Sequence, residues 1–160
     1  MSGDYLGDTL SQNQEPVLFY EREFYVLSNF SAFAIECNGK LWPTSEHLYH
    51  SFKFENNMMK EDIRAAKSAH DALKLSRFYK EHIIPDWDNR KLDIMEQILR
   101  LKVNQHPYVK KKLLETGGRE LIEDSHRDSF WGWGADKDGQ NNLGKLWMKI
   151  RKELNEALQH

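Results

Sequence analysis

FAIECNGKLWPTSEHLYHSFKF, Phe33 to Phe54, changes its period halfway along. The first half reads as a hairpin. Phe33 to Cys37 is an extended run, Asn38-Gly39 suits a two-residue turn, and a second strand leads to Trp42. Pro43 ends that strand, and Thr44 is placed to cap a helix expected to run to about Asn56. A strand pair feeding directly into a helix sets the pattern for the whole chain.

Outward from this stretch, helices dominate. VLFY from Val17 is a short strand candidate. Helices are expected at 60–67 and 70–80, stopping before Pro85. Trp87 to Gln105 is the longest helical stretch. Leu92, Met95, Leu99 and Val103 recur there at helical spacing, with Ile94, Ile98 and Leu101 widening the face. Another helix stops at Thr116-Gly117-Gly118, and ELIE is a short strand. A loop rich in Gly, Asp and Trp precedes a last helix carrying Leu143, Trp147, Ile150, Leu154 and Leu158. The expected fold is α+β: a compact single domain over 16–160, mainly helical with a small sheet, preceded by a mobile arm over 1–15.

Composition narrows the function. Charged residues make up 30%, and eight Phe, six Tyr and five Trp supply a core, so the chain is globular. Twenty-three basic side chains against twenty-five acidic ones leave a net charge of −2, which excludes a general polyanion binder. Lys110-Lys111-Lys112 is the one dense basic run and reads first as a solvated face. Cys37 is the only cysteine, so no intrachain disulfide forms. No apolar run is long enough for a membrane span and no secretory signal pattern opens the chain, so a reducing, cytoplasmic setting without membrane attachment is expected.

Three stretches carry candidate chemistry. On a helix, Glu46, His50 and Lys53 share one stripe. Spacing alone favours a solvated stripe. The functional alternative makes Lys53 a nucleophile freed by desolvation, with Glu46 as acid or base and Trp42, Tyr49, Phe52 and Phe54 as the apolar surround. His47 and His50 lack a third ligand and the zincin spacing, so no metal is expected, and no cofactor either. In the loop SHRDSFWGWGADKDGQN, one of Trp131 and Trp133 is expected to pin the loop. The functional alternative is a stacking wall for a planar base, with Asp128 reaching the sugar or its nitrogen and Gly132 admitting backbone. GQNNLGKL ends in Leu146 where a P-loop needs Ser or Thr, which rejects an NTPase. The last helix's N-terminus still offers free N–H groups for a phosphate. Trp87, between Asp86 and Asp88, reads as a helix start with a packing anchor.

Taken together, these segments resemble one family. Ser28-Asn29-Phe30, Trp42-Pro43-Thr44-Ser45-Glu46-His47, Lys53-Phe54, Trp87, Asp128 with Trp131-Gly132, Gly139-x-Asn141-x-Leu143-Gly144, Met148 and Arg151 occur in the order found in YbiA-like, or NADAR, proteins. The resemblance spans roughly 17 to 155. It departs at His50, where the family usually has Gln, and at Ser76-Arg77, where it has Gly-Arg.

The resemblance implies hydrolysis of an N-glycosidic bond. The substrate is either a phosphoribosylamino-pyrimidine of riboflavin synthesis or, as the alternative, ADP-ribosylated guanine in DNA. A non-catalytic ADP-ribose or nucleotide-binding module is the remaining reading. The implied catalytic set is Lys53, Glu46 and Asp128. Trp131 or Trp87 would stack on the base. Asn29, Arg77 and Asn141 would contact sugar and phosphate, with His50 and Gly132 beside the ligand. The partner is thus a small phosphoribosyl or ADP-ribosyl N-glycoside, with DNA possible as a modified substrate.

Overall fold

The hairpin forms as its sequence directs. β2 (Ile35–Cys37) pairs antiparallel with β3 (Lys40–Trp42), Ile35 facing Trp42 and Cys37 facing Lys40. The turn needs two left-handed residues, and Asn38 (φ 52°) and Gly39 (φ 79°) supply them. The computed structural model describes residues 15–19 and 22–159; the expected N-terminal arm lies outside them, apart from Glu15. The described chain is α+β, with six α-helices and two two-stranded sheets. It gathers into two units, one of residues 29–107 and one of residues up to 28 together with 108 onward.

In the 29–107 unit the hairpin leads into α1 (Ser45–Ser51). Thr44 caps it from an extended conformation, accepting a hydrogen bond from the His47 N–H at 3.1 Å. All seven residues of α1 are buried, because α2 (Asn57–Arg64), α3 (Ala69–Phe78) and α4 (Trp87–Gln105) pack around it. The solvated stripe favoured by spacing is therefore not what forms. Nor does the helix reach Asn56. Phe52, Lys53 and Phe54 donate to the carbonyls of Tyr49, His50 and Ser51, a tightening i→i+3 pattern, and Asn56 caps α2 by accepting from the Met59 N–H. Phe54 then anchors a cluster with Ile63 and Ala72, which fixes the chain immediately after Lys53.

α4 runs as expected, but its buried face is shifted. Leu92 is exposed, while Lys102 is wholly buried, its Nζ donating to Ser31 Oγ at 3.0 Å and lying 5.6 Å from the Phe33 ring centre.

In the other unit, β1 (Val17–Leu18) pairs parallel with β4 (Leu121–Ile122). α5 (Pro107–Glu115) precedes β4, and α6 (Asn142–Leu158) follows the long loop. Leu143, Trp147 and Ile150 are buried, the Trp147 indole N–H donating to the Leu27 carbonyl at 2.9 Å; Leu158, the last residue of the expected stripe, is exposed. Gly144 is fixed by space, since a Cβ there would lie 2.0 Å from the Leu121 carbonyl oxygen.

Candidate active site

Lys53 follows the last turn of α1. Its amine is placed by three helices of the 29–107 unit. From α1, the Tyr49 ring centre lies 5.4 Å away; from the start of α4, the Trp87 ring centre lies 5.9 Å away; and from α3, Ser76 Oγ accepts at 3.4 Å. Tyr49 and Trp87 pack on each other, their centroids 5.2 Å apart. These two rings form the apolar surround. Phe54 belongs instead to the Ile63 cluster, and Phe52 lies beneath Lys60.

The environment changes the amine's chemistry. Burial lowers the Lys53 pKa from 10.5 to about 8, against the pull of the Glu46 carboxylate, with the Arg77 and Lys91 charges lowering it further. At pH 7 roughly one-tenth of such an amine is neutral, against about one in three thousand for an ordinary lysine. Arg77 itself is exposed at the end of α3.

Glu46 is buried one turn earlier. Its N–H donates to the Asn29 carbonyl at 3.0 Å, and its Oε1 lies 2.6 Å from His50 Nε2. Asn29 is buried too, its amide nitrogen 3.3 Å from Met95 Sδ. Thus Asn29, Glu46, His50, Lys53 and Trp87 converge within one unit. Among the described residues, the buried side-chain polar atoms lacking a hydrogen-bond partner are Asn29 Oδ1, Trp42 Nε1, Ser45 Oγ and His50 Nδ1. Ser45 and His50 are on α1, Trp42 ends the strand before it, and Asn29 meets the helix through the Glu46 N–H; each such orphaned group in a native fold calls for an explanation. His47 is different: Thr44 Oγ1 and the Ala66 carbonyl occupy its two nitrogens, and burial lowers its pKa, so it is a neutral tie between elements.

The loop candidates lie in the other unit. One oxygen of Asp128 accepts from the Phe130 and Trp131 N–H groups at 2.9 and 2.8 Å, closing a turn that aims this loop. Trp133 is the pinning tryptophan, its indole N–H on Asp124 at 2.7 Å, while Trp131 is half-buried, edge-on to Phe130. Gly132 is required by packing, since a Cβ would lie 2.6 Å from the Glu123 carbonyl oxygen. Asn141 adopts φ 51° and joins the loop to β4, its amide donating to the Leu121 carbonyl and accepting from the Glu123 N–H. The phosphate reading of the last helix loses two of its donors: the N–H groups of Asn142 and Leu143 are taken by the carbonyls of Phe130 and Trp131.

Lys91 is a contributor that the sequence reading missed, and Ser76 entered it only as a departure from the family pattern. Each is far in sequence from Lys53, and neither carries a local signal. Other nucleophiles are poorer: burial pushes the Cys37 thiol up. Among the described residues, no group of three or more His, Cys, Asp or Glu side chains is arranged to hold a metal.

The chain is a helix-dominated α+β frame that holds a desolvated lysine within the influence of a buried carboxylate. The chain belongs to the NADAR domain family, whose model matches residues 18–155. It is 39% identical over 145 residues to a riboflavin biosynthesis protein of Vibrio vulnificus, covering 89% of this chain but only 40% of that protein. It is 36% identical over 127 residues to the N-glycosidase YbiA of Escherichia coli, covering 79% of each. The solved NMR structure of Escherichia coli YbiA superposes with a TM-score of 0.83 at 34% identity, over 92% of this chain and 89% of that one.

Proposed function

We propose that this protein is an N-glycosidase that hydrolyses the bond between ribose C1′ and an exocyclic base amine, through a Schiff base on Lys53. The observation that carries the reading is the Lys53 amine, lowered to a pKa of about 8 within reach of the Glu46 charge. Pure binding needs no such amine.

The chemistry follows from an aminal at C1′. Glu46 relays a proton from solvent water to the ring oxygen as the C1′–O4′ bond breaks, and the base nitrogen's lone pair forms an iminium with C1′. The neutral Lys53 amine adds to C1′. The base amine leaves with a proton, and the lone pair of Lys53 forms the new iminium. Water adds to C1′, the carbinolamine collapses, and Lys53 returns as a free amine while the sugar closes its ring. Within the 29–107 unit, Trp87 is the stacking candidate, and Asn29 and Arg77 are the sugar and phosphate candidates.

The favoured substrate is a phosphoribosylamino-pyrimidine, since a matched relative is named for riboflavin biosynthesis. ADP-ribosylated guanine in DNA is less favoured. The net charge is −2, and Lys112 of the basic run is engaged by Glu115 at 3.1 Å and Glu23 at 3.5 Å. A reducing cytoplasm suits the free Cys37. Among the described residues, no helix is long and apolar enough to cross a membrane.

The test is sugar release from each substrate by the wild type and by Lys53→Ala. Release from the pyrimidine substrate that is lost on substitution supports the proposal. A Lys53→Ala variant with near-normal turnover removes the Schiff base. No release by the wild type from either substrate removes the N-glycosidase reading.

A further inference from the structure

Two histidines on α1 are three residues apart, yet their environments differ. His47 has a partner at each ring nitrogen, at 2.8 and 3.0 Å. His50 is as deeply buried, 2% exposed, but is served on one side only. Nε2 meets Glu46 Oε1 at 2.6 Å, and Nδ1 has no partner. The Tyr49 ring packs edge-on against the imidazole with centroids 5.2 Å apart, so the ring is held in place by packing. A histidine retained only for structure would resemble His47, because an orphaned buried ring nitrogen disfavours the fold.

A carboxylate accepts and never donates, so the nitrogen facing Glu46 carries the proton. In the neutral ring that leaves Nδ1 with a lone pair that is buried from water and meets no partner. Neighbouring Asn29 Oδ1 is in the same condition, and the Asn29 carbonyl already holds the Glu46 backbone.

Resting on the N-glycosidase reading above, we propose that His50 is the positioning residue for Glu46: its Nε2–H fixes the carboxylate, and its Nδ1 accepts a hydrogen bond from a ribose hydroxyl of the bound substrate. The sugar is the partner, not the base, because Glu46 acts at the ring oxygen and at C1′. His50 thereby couples correct seating of the sugar to the aim of the proton donor.

Two variants, an imidazole rescue and one spectrum test this. Glutamine keeps an N–H for Glu46 and an acceptor for the hydroxyl, whereas alanine keeps neither. His50→Ala is expected to lower kcat on the order of 10- to 100-fold, with KM changed less, since misaiming an acid by an ångström costs that much. His50→Gln is expected to recover most of the loss, and imidazole added to His50→Ala part of it. His50→Ala also opens a cavity at a buried position and is expected to lower the thermal midpoint, so turnover is compared at a temperature where the variant is fully folded; a structural role alone would there leave kcat near that of the wild type.

Nitrogen-15 NMR of the free wild type at neutral pH is expected to show the Nε2–H tautomer, with Nδ1 moving upfield on addition of ribose 5-phosphate. His50→Ala turning over like the wild type, or His50→Gln as impaired as His50→Ala, overturns the proposal while leaving the Lys53 chemistry standing. If the wild type hydrolyses neither substrate, the activity reading fails by itself. The tautomer then decides the Glu46 contact: Nε2–H supports it, and Nδ1–H overturns it.

Discussion

Lys53 holds two properties in opposition. The desolvation that frees its lone pair also disfavours its charged form in the folded chain. Its pKa is about 8 when folded and 10.5 when unfolded, so the unfolded chain binds more protons between those values and stability rises with pH across them. The penalty is full below about 8 and gone above 10.5. Replacing Lys53 with Met is therefore expected to stabilise the fold by about 1–3 kcal/mol at pH 7, with the gain vanishing above pH 10.5, as urea denaturation at several pH values will show. The same variant should lose on the order of a thousandfold or more in kcat. In the wild type, kcat/KM is expected to climb with pH and level off above about 8, as the amine becomes neutral. A flat profile from pH 6 to 9 would separate catalysis from that amine.

The helices and the loop decide where those residues point. α1 was legible as a helix from Pro43-Thr44 and the spacing that follows, and its cap forms as the sequence indicates. Its burial was not legible, because the helices that cover it are set by contacts distant in sequence. That is why a stripe of Glu46, His50 and Lys53 resembled a wet surface. Its early stop was also hidden, since Phe52 to Phe54 keep helical spacing while Asn56 starts a new helix.

In the loop, Gly132, Asn141 and Gly144 stood out as family residues, but their contacts here are backbone packing around β4, which no local pattern reveals. Two stability measurements follow. Thr44→Ala removes the α1 cap and the Thr44–His47 contact, and should cost about 1–2 kcal/mol in denaturant midpoint terms. Gly144→Ala forces a methyl into the Leu121 carbonyl and should cost about 3 kcal/mol or more. An unchanged midpoint in Gly144→Ala would mean that α6 and β4 separate more readily than their packing implies.

Across the whole molecule, charge and surface speak for a small substrate. A chain of net charge −2 with a partly paired lysine run lacks the field that gathers a polyanion. Raising salt from about 50 to 200 mM should change kcat/KM by less than about threefold, whereas a protein making several DNA phosphate contacts loses about a thousandfold in affinity over that range. The α+β class and the order of its elements were readable because the period changes at Pro43 and the long apolar stripes of α4 and α6 are unambiguous. The depth of Lys102 was not, since a lysine at a buried register looks in sequence like any surface lysine.

The most direct measurement is intact-mass spectrometry of the wild type treated with borohydride during turnover of a phosphoribosylamino-pyrimidine, followed by peptide mapping. A reduced phosphoribosyl adduct on Lys53 is the predicted result. Sustained sugar release with no adduct, together with normal turnover by Lys53→Ala, would contradict the account and assign the reaction to the carboxylates alone.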